Sequence, residues 1–406
     1  MGSAASWQNL AEVIAAAGDT LPAYAWHLAD ALRGYFHSHG TTDQWRAAVS
    51  RGLGAAERAG DLPAVAAMRM SLGTLFWHLS RYPEALEELE RARVASHAAG
   101  LPKIEGAALS NLGVVRLELG HLAKATELFH EVLALPDADG QEFVTANALV
   151  NLGGAYLDMG DLAAAEDASV RARDLCERIN SPHSRAVAIA NLGQVYRLWH
   201  RLDEAAALLG QAMAAFNDLR SAVDLAEAMA NLASVYRDLG RLDDALALAT
   251  AAVTETRDLD LPRVAAETLV ARGGVHLARE EFPAAAESYQ EALRLVGDGG
   301  QRRSATKARI GLAHTSRQLG DPAAGAAFAR QALADAEAHG LRLQHGVALT
   351  ALAFAELAGG DIDAAARHAR EAVEVHEDTG YVLGARHARQ VLDEVEHSRF
   401  PRQGRS

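Results

Sequence analysis

The chain is poor in the residues that fix a sheet, a disulfide or a metal. It has one cysteine in 406 residues, which excludes an internal disulfide and a cysteine-built zinc site. Aromatics make up 5% and prolines number 10. β-Branched residues are sparse as well, so the Val/Ile/Tyr-rich runs of a sheet are missing. No apolar run reaches the ~18 residues of a membrane span. Met1 to Asn9 has neither a basic nor an apolar stretch, so no secretion signal is expected there. Basic charge is short too: 39 Lys and Arg stand against 53 Asp and Glu, a net charge of −14. That balance argues against a nonspecific nucleic-acid binder, which carries a basic face. What the chain has in quantity is alanine and leucine, within a hydrophobic share of 50%, a mix that favours helix. The expectation is a soluble, cytoplasmic, all-helical protein.

The abundant residues are periodic. Asn-Leu-Gly occurs at Asn111-Leu112-Gly113, Asn151-Leu152-Gly153 and Asn191-Leu192-Gly193, and Asn231-Leu232-Ala233 follows, each 40 residues after the last. The leucine column extends to Leu32, Leu72, Leu312, Leu352 and Leu392, with Arg272 the one break. The next column is small: Gly73, Gly113, Gly153, Gly193, Ala233, Gly273, Ala313, Ala353. Two more small columns run from Ala85 to Ala365 and from Ala92 to Ala372. No insertion disturbs the register from residue 72 to residue 372. Such a period marks a repeat architecture.

Each period reads as two antiparallel helices. In residues 101–140, Pro102 suits a helix start. Ala108, Leu112, Val115 and Leu119 then recur at helical spacing, and Gly120 ends the helix. A second helix is expected from Leu122 to Leu135, with Gly140 closing the repeat. Glycines return on the half-period, among them Gly60, Gly100, Gly160, Gly240, Gly320, Gly340, Gly360 and Gly380. The small columns let two helix axes approach closely, with the leucine filling the space beside them.

The pattern Asn-Leu-Gly-x-x-Tyr, Leu-Gly-x-Leu-x-x-Ala and a small residue seven further on resembles the tetratricopeptide repeat. Asn151 to Ala172, Asn191 to Ala212 and Asn231 to Ala252 are the clearest copies, and Tyr156, Tyr196 and Tyr236 fill the family's aromatic column. The resemblance covers residues 62–379 as eight repeats. It implies a right-handed α-solenoid, with first helices lining a concave groove. The period of 40 exceeds the usual length of about 34, so each helix should be longer by nearly a turn. Arg272, His276 and Glu280 make the sixth repeat the most divergent. Residues 1–61 are expected to form a capping segment: a short helix over 3–17 and a degenerate pair, Ala23 to Ser38 and Thr42 to Ala59. Residues 380–398 form a closing helix from Tyr381, as solenoid ends require, and 399–406 a disordered basic tail.

A narrower resemblance covers Tyr24 to Asp61. Trp26-His27-Leu28, Ala31-Leu32, Tyr35-Phe36, Gln44-Trp45 and Gly52-Leu53 through Gly60-Asp61 look like the start of the repeat arms of actinobacterial STAND/SARP-type signalling ATPases, including antibiotic regulators. In those the arm follows a nucleotide-binding switch domain. This chain has no Gly-x-x-x-x-Gly-Lys-[Ser/Thr] loop. The resemblance therefore implies either a sensor arm or a freestanding relative.

The groove candidates are polar residues on the first helices. The asparagines Asn111, Asn151, Asn191 and Asn231, with Asn147, offer amide donors and acceptors to a peptide backbone. Asparagine gains little in a helix interior otherwise, although it can also satisfy a neighbouring helix or loop. One turn on lies an arginine row, Arg197, Arg237 and Arg317, with Gln194, Arg116 and Lys307 nearby. In an acidic protein a basic stripe favours a partner carrying carboxylates. The plainer reading is a solvated face paired to acids such as Asp238 and Asp158. Trp77, with His78 and Phe354, is placed to anchor apolar side chains or to pack in the core.

Catalytic patterns are missing. Seventeen histidines include no His-Glu-x-x-His. His37 and His39 point ~200° apart on a helix. Cys176 sits alone, Gly297-Asp298-Gly299-Gly300 lacks a strand before it, and no serine-hydrolase motif occurs. The expected function is thus a protein-interaction scaffold or sensor. It holds a peptide or helix of a partner in its groove, in signalling or transcriptional regulation, without enzymatic activity, cofactor or metal. The rival readings are an autoinhibitory arm of a larger ATPase regulator and, from a different class, an enzyme with a site grafted into the groove. The partner is expected to be protein, with acidic residues, and not nucleic acid or membrane. Self-association is open.

Overall fold

The structure, a computed structural model, describes residues 22–31, 42–79, 81–135, 141–257, 261–297 and 302–399. The helix expected over 3–17, His37 and His39, Asp298 to Gly300 and the tail from residue 400 lie outside them. Among the described residues there are nineteen helices and no strand. α1 (Pro22–Ala31) and α2 (Thr42–Ala59) come first; the rest of the helix expected to Ser38 lies outside the described residues. Eight regular pairs follow: α3 (Leu62–His78) with α4 (Tyr82–Ala98), α5 (Pro102–Glu118) with α6 (Leu122–Leu133), α7 (Gln141–Met159) with α8 (Leu162–Arg178), and α9 (Pro182–Leu198) with α10 (Leu202–Asp218). Next come α11 (Ala222–Asp238) with α12 (Leu242–Thr256), α13 (Pro262–Ala278) with α14 (Phe282–Val296), α15 (Arg302–Gln318) with α16 (Pro322–Ala338), and α17 (Arg342–Ala358) with α18 (Ile362–Thr379). A last helix, α19 (Val382–Arg399), follows them.

The turns explain the half-period. The half-period glycines Gly60, Gly100, Gly120, Gly160, Gly240, Gly320, Gly340, Gly360 and Gly380 adopt a left-handed backbone, from φ 66° at Gly100 and Gly340 to 87° at Gly320 and Gly360. Where glycine is missing from that column, Asn180, His200, Arg220 and Glu280 take the same conformation, with φ of 55–62°. The turn is thus set by the repeat geometry and imposed on residues that resist it. Asp61, Asp161, Asp321 and Asp361 cap the next helices, each accepting from a backbone N–H three residues on at 2.9–3.1 Å. The aromatic column stacks on loop arginines: Arg201 lies 3.9 Å over Tyr196, Arg241 4.2 Å over Tyr236 and Arg81 4.6 Å over Phe76.

The packing within a pair follows a complementary code. A Cβ at Gly73 would meet Leu89 Cγ at 2.6 Å, one at Gly193 would meet Leu209 Cγ at 2.7 Å, and one at Gly273 would meet Tyr289 Cε1 at 2.8 Å. Gly113 faces Phe129 in the same way. In each case the partner stands 16 residues on in the second helix. Where the column is alanine, the facing residue is alanine too: Ala233 packs in one cluster with Ala249, Ala313 with Ala329 and Ala353 with Ala369. One methyl on one helix is traded for a large side chain on the other, and the crossing stays filled.

The helices gather into two compact units, residues 1–119 with 124–148, and residues 120–123 with 149–406. In the first, Trp45 is 1% exposed; its Nε1 donates to Ser71 Oγ at 3.0 Å, and it heads a cluster with Val49, Met68 and Leu75. The second unit departs from the nearest-neighbour packing expected of a solenoid. Its repeats turn far enough that the first and last meet. Leu157, Leu162, Val195 and Leu198 form one apolar cluster with Leu343 and Tyr381. Gly160 lies against Thr379, and Gly380 against Trp199. Asp158 and Arg303, 145 residues apart, pair at 3.0 Å.

Candidate functional site

Closure of the second unit turns the expected open groove into a cavity of about 450 Å³, within the size range of ligand pockets. Its wall is built from first helices, α9, α11, α13, α15 and α17, and finished by α19. The same face of each first helix points inward because the 40-residue register never slips. Leu198, Leu343 and Tyr381, which form the seam, are also pocket wall.

The expected site residues divide. Gln194, Arg197, Asn231, Arg237 and Lys307 meet in this pocket. Among the described residues, the amides of Gln194 and Asn231 have no hydrogen-bond partner and face it. Asn191 does not: it is 8% exposed, and its Nδ2 donates to the Val150 carbonyl at 3.1 Å, tying α9 to α7. Asn111 does the same kind of work in the first compact unit, donating to Thr74 Oγ1 at 3.3 Å. Asn147 and Trp77 also belong to that unit, where Trp77 is half-buried beside His78, ring centres 4.7 Å apart. Asn151 is half-buried in α7 and outside the pocket wall. Arg317 lies outside it too, half-buried with its Cζ 5.3 Å from the Phe354 ring centre.

The arginines are not a free basic stripe. Arg197 Nη1 donates to Asp238 at 2.9 Å, and Arg237 donates to the same carboxylate through Nε at 2.9 Å and Nη2 at 2.6 Å. Asp238 is 4% exposed. Burial works to raise its pKa, but the two guanidiniums outweigh it and hold the carboxyl below its ordinary range. A second centre repeats the arrangement. Glu267 accepts from Ser304 Oγ at 2.8 Å and Lys307 Nζ at 3.1 Å, with Arg303 Nε at 3.3 Å. Burial again opposes ionisation, yet Lys307 and Arg303 hold this carboxyl well below its usual range. Cations this deep need counter-charges: Arg197, Arg303 and Lys307 find theirs in the neighbouring repeat, and Arg237 in the next residue of its own helix. The acids lie behind and the cations in front: the side chains of Arg197 and Arg237 are 20% and 27% exposed, against 4% for Asp238.

Several wall residues carried little sequence signal. Tyr289 comes from α14, an outer helix, and reaches the pocket between α13 and α15 where Gly273, Gly274 and Gly311 clear its path. Gly311 stands in the asparagine column, so the break in that column was the available sign. Burial pushes the Tyr289 phenol up to about 12. His314 also lines the wall and is brought down to about 4, by burial first and then by Arg317 and His387. Gln344 is 5% exposed and its Oε1 has no partner. The divergent sixth repeat keeps an unbroken α13: Arg272 Nε donates to Ser288 Oγ at 3.2 Å, and His276 Nδ1 lies 2.6 Å from Glu281. Among the described residues, no group of three or more metal-ligating side chains gathers, and no helix is long and apolar enough to cross a membrane.

Three tetratricopeptide-repeat family models match, over residues 37–100, 144–218 and 225–258. The comparison with curated proteins gave no match. Among solved structures, a Rap protein complexed with competence and sporulation factor is similar at 13% identity, covering 88% of this chain and 98% of that one with a TM-score of 0.67. A signal transduction ATPase with numerous domains, carrying a tetratricopeptide repeat sensor, from Pyrococcus horikoshii is similar at 14% identity and a TM-score of 0.53. That match covers 92% of this chain and 55% of the ATPase. At these identities the likeness is one of fold. With its unbroken 40-residue register, its paired helices and these family matches, the chain folds as an α-solenoid of tetratricopeptide-type repeats.

Proposed function

We propose that the pocket of the second compact unit holds a short segment of a partner protein, and that the chain is a non-enzymatic binding module of cytoplasmic signalling or transcriptional regulation. The observation that carries this is the set of uncommitted amides, Gln194 and Asn231 with the Gln344 Oε1, facing one cavity. Of the three, Gln344 is buried, and buried polar groups without partners are rare in a folded chain; Gln194 and Asn231 are half-buried at the pocket wall, and peptide groups complement amides in both directions. The Rap protein of similar fold was solved with competence and sporulation factor bound, and all three family matches describe a repeat rather than a catalytic family. A second reading makes the occupant a switch segment of an ATPase regulator. The likeness to the STAND protein with its repeat sensor favours it.

Selection from a displayed peptide library tests the proposal. Enriched peptides should bind the intact chain and lose about tenfold or more in affinity when Gln194 and Asn231 are both changed to Ala, at one to two hydrogen bonds lost. Binders indifferent to that change, with helicity preserved, would refute it. Changing Arg197 and Arg237 to Glu is a poor control, because it places two carboxylates around Asp238.

A further inference from the structure

The Tyr289 hydroxyl and the Arg237 Nη1 both lie against Gly274. A Cβ built there would meet Nη1 at 2.7 Å and the hydroxyl at 3.6 Å. Arg237 is held from behind: Asp238 occupies its Nε and Nη2, so Nη1 is the donor left over. The Tyr289 ring is fixed by the glycine gap. Gly311 and Gly273 press on both sides of it, and the side chain is 4% exposed. Among the described residues neither donor has an acceptor. Arg197, Tyr381 and His387 complete this corner of the pocket wall. At this corner two guanidiniums, Arg197 and Arg237, share the single carboxylate of Asp238.

We propose that this corner is an oxyanion subsite, in which Tyr289 and Arg237 bind a carboxylate of the partner segment. The inference rests on the pocket reading above and names the chemistry that the occupant brings. The geometry favours an anion for three reasons. Both converging groups are donors, the buried phenol stays protonated and so remains a donor at neutral pH, and the nearest carboxylate is already bracketed by two guanidiniums. A carboxylate accepts two donors at once, whereas a neutral carbonyl leaves the surplus guanidinium charge uncompensated. The three glycines have a reason on this account. They are the space needed to bring an outer-helix phenol through the wall.

The test uses the full chain and small probes at fixed ionic strength: N-acetylglycinate, its neutral counterpart N-acetylglycinamide, and inorganic phosphate. Thermal unfolding is followed as each is titrated, since a ligand of the folded state raises Tm saturably. The expected result is stabilisation by N-acetylglycinate, little by the amide, and binding weakened roughly tenfold in Tyr289→Phe, the loss for one hydrogen bond to a charged group. Tyr289→Phe keeps the ring that fills the glycine gap. Equal stabilisation by acid and amide would overturn the subsite while leaving the peptide-pocket reading standing. Stabilisation by phosphate but not by N-acetylglycinate would overturn the carboxylate assignment. No response to any probe, or a wild-type response in Tyr289→Phe, would overturn the subsite outright, and the peptide selection judges the pocket separately.

Discussion

The trade between Gly193 and Leu209 offers a quantitative check on how the repeats pack. Gly193→Ala alone places a methyl 2.7 Å from Leu209 Cγ and 3.1 Å from its Cδ2. The branch point must move, and Leu209, 0% exposed among Phe216, Leu232 and Val235, has no open side to move into. Overpacking of this kind costs about 1–3 kcal/mol, offset in part by the ~1 kcal/mol helix preference of alanine over glycine. Leu209→Ala alone leaves a cavity and costs about 2–5 kcal/mol. The double variant recreates the Ala–Ala crossing that Ala233 and Ala249 already form one repeat on. Its methyl no longer clashes and fills part of the cavity. The double variant should therefore be more stable than the sum of the singles by about 1–3 kcal/mol, the range for residues in contact. Urea unfolding followed by circular dichroism measures the cycle, with m-values compared because repeat arrays can lose two-state behaviour. Additivity within ~0.5 kcal/mol would show that the two columns do not pack as complements, and the code drawn from seven of the eight repeats, all but that of Gly153 and Ser169, would fail.

Further expectations concern the turns, the seam and the histidines. Arg220→Gly and Glu280→Gly should each raise stability by up to about 1 kcal/mol, because a side chain now occupies a left-handed turn at φ of 55° and 62°; an unchanged or lower Tm would contradict this. Asp158→Asn should loosen the second unit, leaving Arg303 short of its partner across 145 residues, at a cost of roughly 1–3 kcal/mol for a part-buried charge. A larger radius of gyration by X-ray scattering should be seen, and identical profiles would argue against the seam. Burial brings His314 and His376 down to about 4, below the unfolded value, so the fold favours their neutral forms. Stability should be full above pH 6.5 and fall by up to ~1.4 kcal/mol per pH unit for each histidine as pH drops toward 4. His376→Gln should flatten that fall in an acid titration of Tm, and an unaltered slope would place the proton uptake elsewhere.

Sequence alone determined the fold, because a repeat writes its geometry many times over. The leucine and small columns, the half-period glycines and the alanine excess each reported a local constraint: a close crossing, a left-handed turn, a helix former. These act within one pair of helices, or between one pair and the next, and so appear at fixed spacing. Even the exceptions at Asn180, His200, Arg220 and Glu280 are readable once the column is known. The site was half legible. Gln194, Asn231, Arg197 and Arg237 were found because the pocket is lined by one register of first-helix positions. Asn191 and Asn111 share that register and yet turn their amides to a neighbouring helix. Period alone cannot tell a satisfied amide from an open one. Only the tertiary structure decided three things. The curvature summed over successive repeats brought Asp158 to Arg303, and small rotations accumulate in a way no single repeat records. The pairing of the arginines with Asp238 depended on how deeply they are buried. The arrival of Tyr289 in the pocket depended on three glycines from two helices leaving a gap for a ring from a third.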